Sequence, residues 1–262
     1  MSNTKDAVER RRAERRRRIR RKRIITTLLV LFIISLITGI ILAVALLFPV
    51  ENITASGSKI YTSEQIIKAS GITEENNLLF VNEDKLYEVI RKKLPYTDSV
   101  KIKKDLPNSL SIKVEDAKEY TCFNTDNGYY TVSKKGYVLE VYPEKPENLF
   151  YIECGIKNPV IGELVEIKKA SDADVLKAII ENCEKKNINI DYIDITNSLS
   201  LEAKVCGRFI VNFGTYSNID KKIAHLSGML SGIPEDKTGR INLSMWTSDK
   251  TEGSFVEGSV NE

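Results

Sequence analysis

Histidine occurs once in this sequence, at His225, so the residue most used for proton transfer and metal ligation near neutral pH is almost missing. The four cysteines, Cys122, Cys154, Cys183 and Cys206, form no CxxC pair and have no histidine beside them, which argues against a zinc site. Glycine-rich phosphate loops and Cys/His dyads are absent too, so nucleotide chemistry and thiol hydrolysis lose their usual signatures and no cofactor or metal is expected. An even cysteine count permits two disulfides in three connectivities. The wide spacing and apolar surroundings favour small buried hydrophobes with free thiols instead. The most telling scarcity is of charge. From Ile24 to Phe48 there is no Asp, Glu, Lys or Arg in 25 consecutive residues, and Pro49 closes the run.

At about 1.5 Å per residue that run makes a helix of roughly 37 Å, enough to cross a hydrocarbon core of about 30 Å with some tilt. Thr26, Thr27, Ser35 and Thr38 are tolerable inside it, because a hydroxyl can bond back to a carbonyl one turn earlier. Residues 1–23 carry 12 Lys and Arg against Asp6, Glu9 and Glu14, a balance of +9. The whole chain is +3, which leaves −6 for residues 24–262. This asymmetry predicts a cytoplasmic N-terminus and an extracytoplasmic remainder. A cleaved signal also starts with positive charge, and Ala43-Val44-Ala45 imitates a cleavage site, but the apolar core of a signal is about 7–15 residues. The arginine run has no interleaved aromatics to suggest nucleic acid, and beside a span it fits anionic lipid headgroups.

Beyond the membrane the periodicity predicts two domains. In residues 49–117, a strand over Val50 to Ile60 is bent at Gly57. A helix follows from the capping box Thr62-Ser63-Glu64-Gln65 to Gly71. A second helix, Glu83 to Lys93, repeats Leu86, Val89, Ile90 and Lys93 at helical spacing and stops before Pro95. Two strands then alternate, Val100 and Ile102 in one and Leu110, Ile112 and Val114 in the other, with Pro107 in the turn. Two helices over one face of a three-stranded sheet would bury both apolar sets.

Residues 118–246 read as a β-rich domain with flanking helices. Ser133-Lys134-Lys135-Gly136 turns a hairpin between Tyr129–Val132 and Tyr137–Val141. A strand over Leu149–Ile152 precedes a helix capped by Ser171 or Asp172 and running to about Lys186, with Val175, Ala178, Ile179, Asn182 and Cys183 on one face. Strands over 190–195, 199–205 and 209–213, a helix over 219–231 and a last strand over 240–246 complete it. Residues 247–262 are polar and aperiodic and are expected to be disordered.

The segments Tyr61-Thr62-Ser63-Glu64-Gln65-Ile66-Ile67, Ser70-Gly71-Ile72, Asn77-Leu78-Leu79-Phe80-Val81, Leu94-Pro95-Tyr96 and Leu106 to Glu115 resemble the POTRA domain of the FtsQ/DivIB family of bacterial cell-division proteins. Asp116-Ala117-Lys118 departs from the arginine and proline often found there. Basic tail, single span, POTRA domain and a larger β-rich domain are also that family's layout. The class is therefore α+β: one transmembrane helix, a β-α-α-β-β POTRA domain, then a β-rich domain. The resemblance implies a non-catalytic bitopic scaffold at the division septum, with FtsB/DivIC-like and FtsL-like bitopic proteins as partners and neither nucleic acid nor small-molecule substrate.

It also implies where they dock. The family mode adds a partner strand to the edge formed by the last strand, which here matches Ile241, Asn242, Leu243, Ser244, Met245 and Trp246. Alternation would place Ile241, Leu243 and Met245 inward and Asn242, Ser244 and Trp246 on the other face. Trp246 and Lys222, which resembles a lysine the family carries, would border the docking groove. Trp246 could equally be a core anchor.

One competing class is a membrane-anchored penicillin-binding-type enzyme. Ser56-x-x-Lys59, Tyr216-x-Asn218 and Lys237-Thr238-Gly239 occur in the order such a site needs. That chemistry wants the serine at the start of a buried helix, whereas Ser56 precedes the capping box with Gly57 beside it. A POTRA-bearing transport subunit is the other class, disfavoured because no β-barrel segment follows the single POTRA unit.

Overall fold

A computed structural model describes residues 3–246 and 253–260 of the chain. The first helix, α1, runs Asn3–Leu47. Within it Lys22–Val44 has a mean hydropathy of 2.9 and is long and apolar enough to cross a membrane. The threonine hydroxyls behave as expected. Thr26, Thr27 and Thr38 each donate at 2.9 Å to the carbonyl four residues back, so none costs the helix an unsatisfied polar group. Phe48, expected as the last residue of the span, lies just past the helix, and its carbonyl instead accepts the Leu78 N–H.

The expected β-α-α-β-β order follows: β1 Asn52–Ser56, α2 Ser63–Ser70, a 3-10 turn Leu78–Phe80, α3 Glu83–Lys93, β2 Thr97–Asp105 and β3 Ser109–Asp116. The sheet order is β1-β3-β2. The capping box is complete, with Thr62 Oγ1 accepting from the Gln65 N–H at 3.3 Å and Gln65 Oε1 from the Thr62 N–H at 2.9 Å. On α3 the inward face differs from the expected one. Leu86 and Ile90 are buried, but Val89 is exposed and Arg91 is buried in its place.

The contacts do not divide the chain at residue 117. One unit takes Met1–Thr54, Ile72–Asn82 and Ile102–Ser111, and the other takes Ala55–Gly71, Glu83–Lys101 and Ile112–Glu262. Bonds inside the second unit explain this grouping. The Tyr96 hydroxyl meets Glu119 at 2.9 Å and Glu140 at 2.7 Å, Lys135 Nζ donates to the Asp98 carboxylate at 2.9 Å, and Arg91 reaches the Gly162 carbonyl.

The larger sheet comprises β4 Glu119–Thr125, β5 Gly128–Ser133, β6 Val138–Tyr142, β7 Phe150–Glu153, β8 Ile190–Asp194, β9 Leu201–Val205, β10 Phe209–Gly214, β11 Gly239–Asn242 and β12 Ser254–Glu257. Their order is β12-β11-β10-β9-β8-β7-β4-β5-β6. Helices α4, Ala170–Lys185, and α5, Ile219–Gly232, bury Val175, Leu176, Ile179, Ile223 and Leu226 in one cluster with Phe123, Ile152, Ile193, Phe209, Phe213 and Ile241. Each such side chain contributes about 1.5–3 kcal/mol by leaving water, which makes this cluster the main source of the domain's stability. The α4 N-cap is Lys169, with no side-chain cap bond. Ser171 and Asp172, expected to cap, lie inside the first turn.

Two expectations about the chain's end are corrected. The strand predicted over 240–246 stops at Asn242, and the stretch predicted to be disordered contains β12, antiparallel to β11 with Ile241 opposite Phe255. Pairing supplies what composition did not, because Phe255 packs edge-on to Phe209 with ring centroids 5.9 Å apart.

All four cysteines are free. Burial pushes the Cys122 thiol up to about 11 and those of Cys154 and Cys183 up to about 12, so the reactive thiolate is scarce at neutral pH. Iodoacetamide at neutral pH should therefore leave these three unmodified in the folded protein and label all of them in denaturant. Mass spectrometry showing fast labelling without denaturant would contradict the burial.

Candidate partner-binding edge

The end of the sheet is built around the turn that leaves β10. Gly214 sits at φ +64°, a conformation that disfavours side chains, and a Cβ there would come within 2.8 Å of Ser244 Cα. Ser244 is therefore pressed against the backbone of this turn. Lys222, on α5, reaches under the turn, where Nζ donates to the carbonyls of Phe213 and Thr215 at 2.7 Å each. Only 1% of the residue is exposed, and burial draws its pKa down from the ordinary lysine value. Its task is to satisfy two carbonyls at the end of β10, and it does not border an open groove as expected.

Past Asn242 the alternation breaks. The Leu243 N–H donates to the Asn212 carbonyl at 2.8 Å, the Ser244 N–H to Asn242 Oδ1 at 2.9 Å, and the Trp246 N–H to the Leu243 carbonyl at 3.1 Å. This tight turn reverses the parity that a strand would have kept. Ile241 and Leu243 are buried as expected, but Met245 is 76% exposed and Trp246 is only 7% exposed. Trp246 packs beside His225, with ring centroids 6.5 Å apart. The core-anchor alternative for Trp246 describes the structure.

Nor is β11 the edge. It lies parallel to β10 on one side and antiparallel to β12 on the other. Gly253 allows the chain to return, since a Cβ there would fall 2.8 Å from Leu243 and 2.9 Å from the Met229 sulfur. The Gly258 N–H donates to the Thr238 carbonyl at 3.1 Å, which sets the alternation of the ladder. In an antiparallel pair every second residue bonds inward, so Ser254 and Val256 face β11 while the N–H groups of Phe255 and Glu257 point away from it. Val256 is 64% exposed, and Glu257 pairs with Lys237 at 2.7 Å. No strand lies beyond β12 among the described residues. At the opposite end, β6 is partly covered, because Val138 exchanges bonds with Glu163 and Gly162.

The residues of the enzyme-like pattern occupy unrelated elements. Ser56 ends β1, the Lys59 N–H donates to Asp116 Oδ2 at 2.6 Å, Asn218 opens α5, and Gly239 begins β11 after the ion-paired Lys237. No group of three or more metal-ligating side chains occurs among the described residues.

Comparison with known proteins agrees with the architecture. Residues 48–116 match the FtsQ-type POTRA domain. The chain is similar to the cell division protein DivIB of Clostridium acetobutylicum, 27% identical over 75% of this chain and 80% of that protein. It is likewise similar to DivIB of Clostridium botulinum strain Hall, 28% identical over 82% of this chain and 86% of that one. The cell division protein FtsQ of Streptomyces venezuelae is 26% identical over 39% of this chain and 38% of its own length. With the basic tail, the apolar helix, the POTRA order and the β-rich sheet, these matches show a chain that carries an FtsQ-type POTRA domain and is similar along most of its length to DivIB cell-division proteins.

Proposed function

We propose that the chain is a non-catalytic bitopic scaffold of the division machinery, its basic N-terminus cytoplasmic and residues after Phe48 outside. It would act at the septum by holding FtsB/DivIC-like and FtsL-like proteins on its extracytoplasmic part. The observation that supports this best is the sheet end, where β12 offers outward N–H groups to a second chain. A partner strand adds beside β12. Lys222 and residues Ile241, Asn242, Leu243, Ser244, Met245 and Trp246 support the site by fixing β11 and the turn behind it.

Proline at Glu257 removes an outward donor while sparing the bonds to β11, whereas alanine removes only the ion pair with Lys237. Capture of the DivIC-like partner from membranes should fall roughly tenfold or more with Glu257→Pro, the cost of about 1–3 kcal/mol for an unmet buried bond, and little with Glu257→Ala. Undiminished capture by Glu257→Pro would rule out this docking mode. A second reading is favoured by the exposure of Ser254, Val256 and Glu257, which leaves β12 lightly held. In that case the partner takes β12's place on β11, and removing residues 247–262 would raise capture.

A further inference from the structure

Two loops meet the chain where α1 ends, all within the first unit. Asn77 Nδ2 donates to the Val44 carbonyl at 2.8 Å, the Leu78 N–H donates to the Phe48 carbonyl at 2.8 Å, and Pro49 bridges to Asn77. The Val50 N–H donates to the Asn76 carbonyl at 3.0 Å, and the N–H groups of Glu51 and Asn52 share the Asn108 carbonyl at 2.9 and 3.2 Å. Lys104 Nζ ties the hairpin tip to the Leu79 carbonyl at 3.0 Å. The loop 76–80 and the tip at 104–108 are thus pinned to the last turn of α1 and the first residues after it. Val44 and Phe48 lie inside the uncharged run, and a hydrogen bond holds its donor about 3 Å from its acceptor. If that run spans a membrane, these loops lie at the depth of its outer boundary.

At this depth the protein exposes three large apolar side chains. The 3-10 turn buries Leu78 completely but turns Phe80 outward at 74% exposure and Leu79 at 39%, while Leu106 stands out at 61% on the hairpin tip. Facing water, each forgoes roughly 1.5–3 kcal/mol of burial, whereas the acyl and headgroup boundary of a bilayer accepts such groups. No internal partner is needed to explain them, because the helix that anchors these loops also fixes what lies beside them.

We propose that Leu79, Phe80 and Leu106 insert into the outer boundary of the bilayer that α1 crosses, so that the chain grips lipid through two loops as well as the helix. The proposal rests on the reading of Ile24–Phe48 as a span. It is tested with the full-length protein in bilayers of phosphatidylethanolamine and phosphatidylglycerol in which part of the lipid carries bromine on the acyl chain, near the headgroup or deep. Phe80→Trp and Leu106→Trp report on the loops and Phe32→Trp on the helix. All three positions are exposed, and the native Trp246 is a buried background common to every variant. Phe80→Trp and Leu106→Trp should shift their emission to shorter wavelength and lose intensity with shallow bromine, and Phe32→Trp should lose intensity with deep bromine. If Phe32→Trp is quenched while both loop variants emit as in plain lipid, the docking surface is overturned and the span stands. If Phe32→Trp also escapes quenching, the span fails and the proposal with it.

Discussion

Lys222→Ala should cost the protein about 3 kcal/mol of stability, because it strands two carbonyls and opens a cavity beneath the turn after β10. Losing a buried donor costs about 1–3 kcal/mol, and deleting most of a long buried side chain adds a cavity penalty of similar size. One gain runs the other way, since the variant no longer carries a desolvated ammonium. Lys222→Met fills much of the volume without donating, so it should lose about half as much, on the order of 1–2 kcal/mol. Denaturant midpoints of the three proteins check the order. Unchanged midpoints would mean that water serves the Phe213 and Thr215 carbonyls.

The pH dependence gives an independent reading of the same lysine. Its folded pKa lies below 10.5, with burial as the cause, so at neutral pH the native state bears the full cost of a buried charge. As pH rises from the lowered pKa towards 10.5 the native state sheds its proton while the unfolded chain keeps it, and stability rises across that window. The increment should be present in the wild type and absent in Lys222→Met. Comparing the two cancels the phenols, of which Tyr96 and Tyr192 are raised chiefly by burial and so oppose it.

The second large effect is expected at Arg91. Its guanidinium lies 3.8 Å from the centroid of the Tyr137 ring and 5.6 Å from that of Tyr87, and it donates to the Gly162 carbonyl and to Glu88. The residue is 3% exposed. A desolvated cation over an aromatic face contributes up to about 2 kcal/mol and a buried carbonyl left without its donor costs about 1–3, so Arg91→Ala should lose roughly 3–4 kcal/mol. Arg91→Lys keeps the charge but cannot stack a plane on Tyr137 while reaching Gly162, and should recover little. Equilibrium unfolding again decides. A lysine variant as stable as the wild type would show that charge alone suffices.

Much of the POTRA-like region was legible because local and tertiary signals coincide there. Thr62 and Gln65 cap where the pattern says they should, and Leu86 and Ile90 point inward. Arg91 was not legible. A long charged side chain at the end of α3 reads as solvated, and only the distant Tyr137 and Gly162 make its burial possible. β4 was missed for a different reason. Thr121, Cys122 and Phe123 are buried in succession, so Glu119–Thr125 shows no period of two. β12 is a strand only because β11 is beside it, and its own sequence is short and polar. The partner edge was half legible. Ile241 and Leu243 kept their parity, but the bond from the Ser244 N–H to Asn242 Oδ1 ended the strand and exchanged the fates of Met245 and Trp246.

The strand order also bears on how such a chain could fold as it is synthesised. β4, β5 and β6 pair as neighbours at one end of the sheet, and from β7 to β12 each later strand takes its place at the current outer margin. No strand must be wedged between two that are already joined. A protein emerging N-terminus first can therefore lay down its sheet vectorially, with every intermediate a shorter sheet that is already correctly ordered and no early segment waiting for a late one. β12 then completes this margin only after every other described strand of the sheet is in place, so the surface presented there reports that the sheet behind it is assembled.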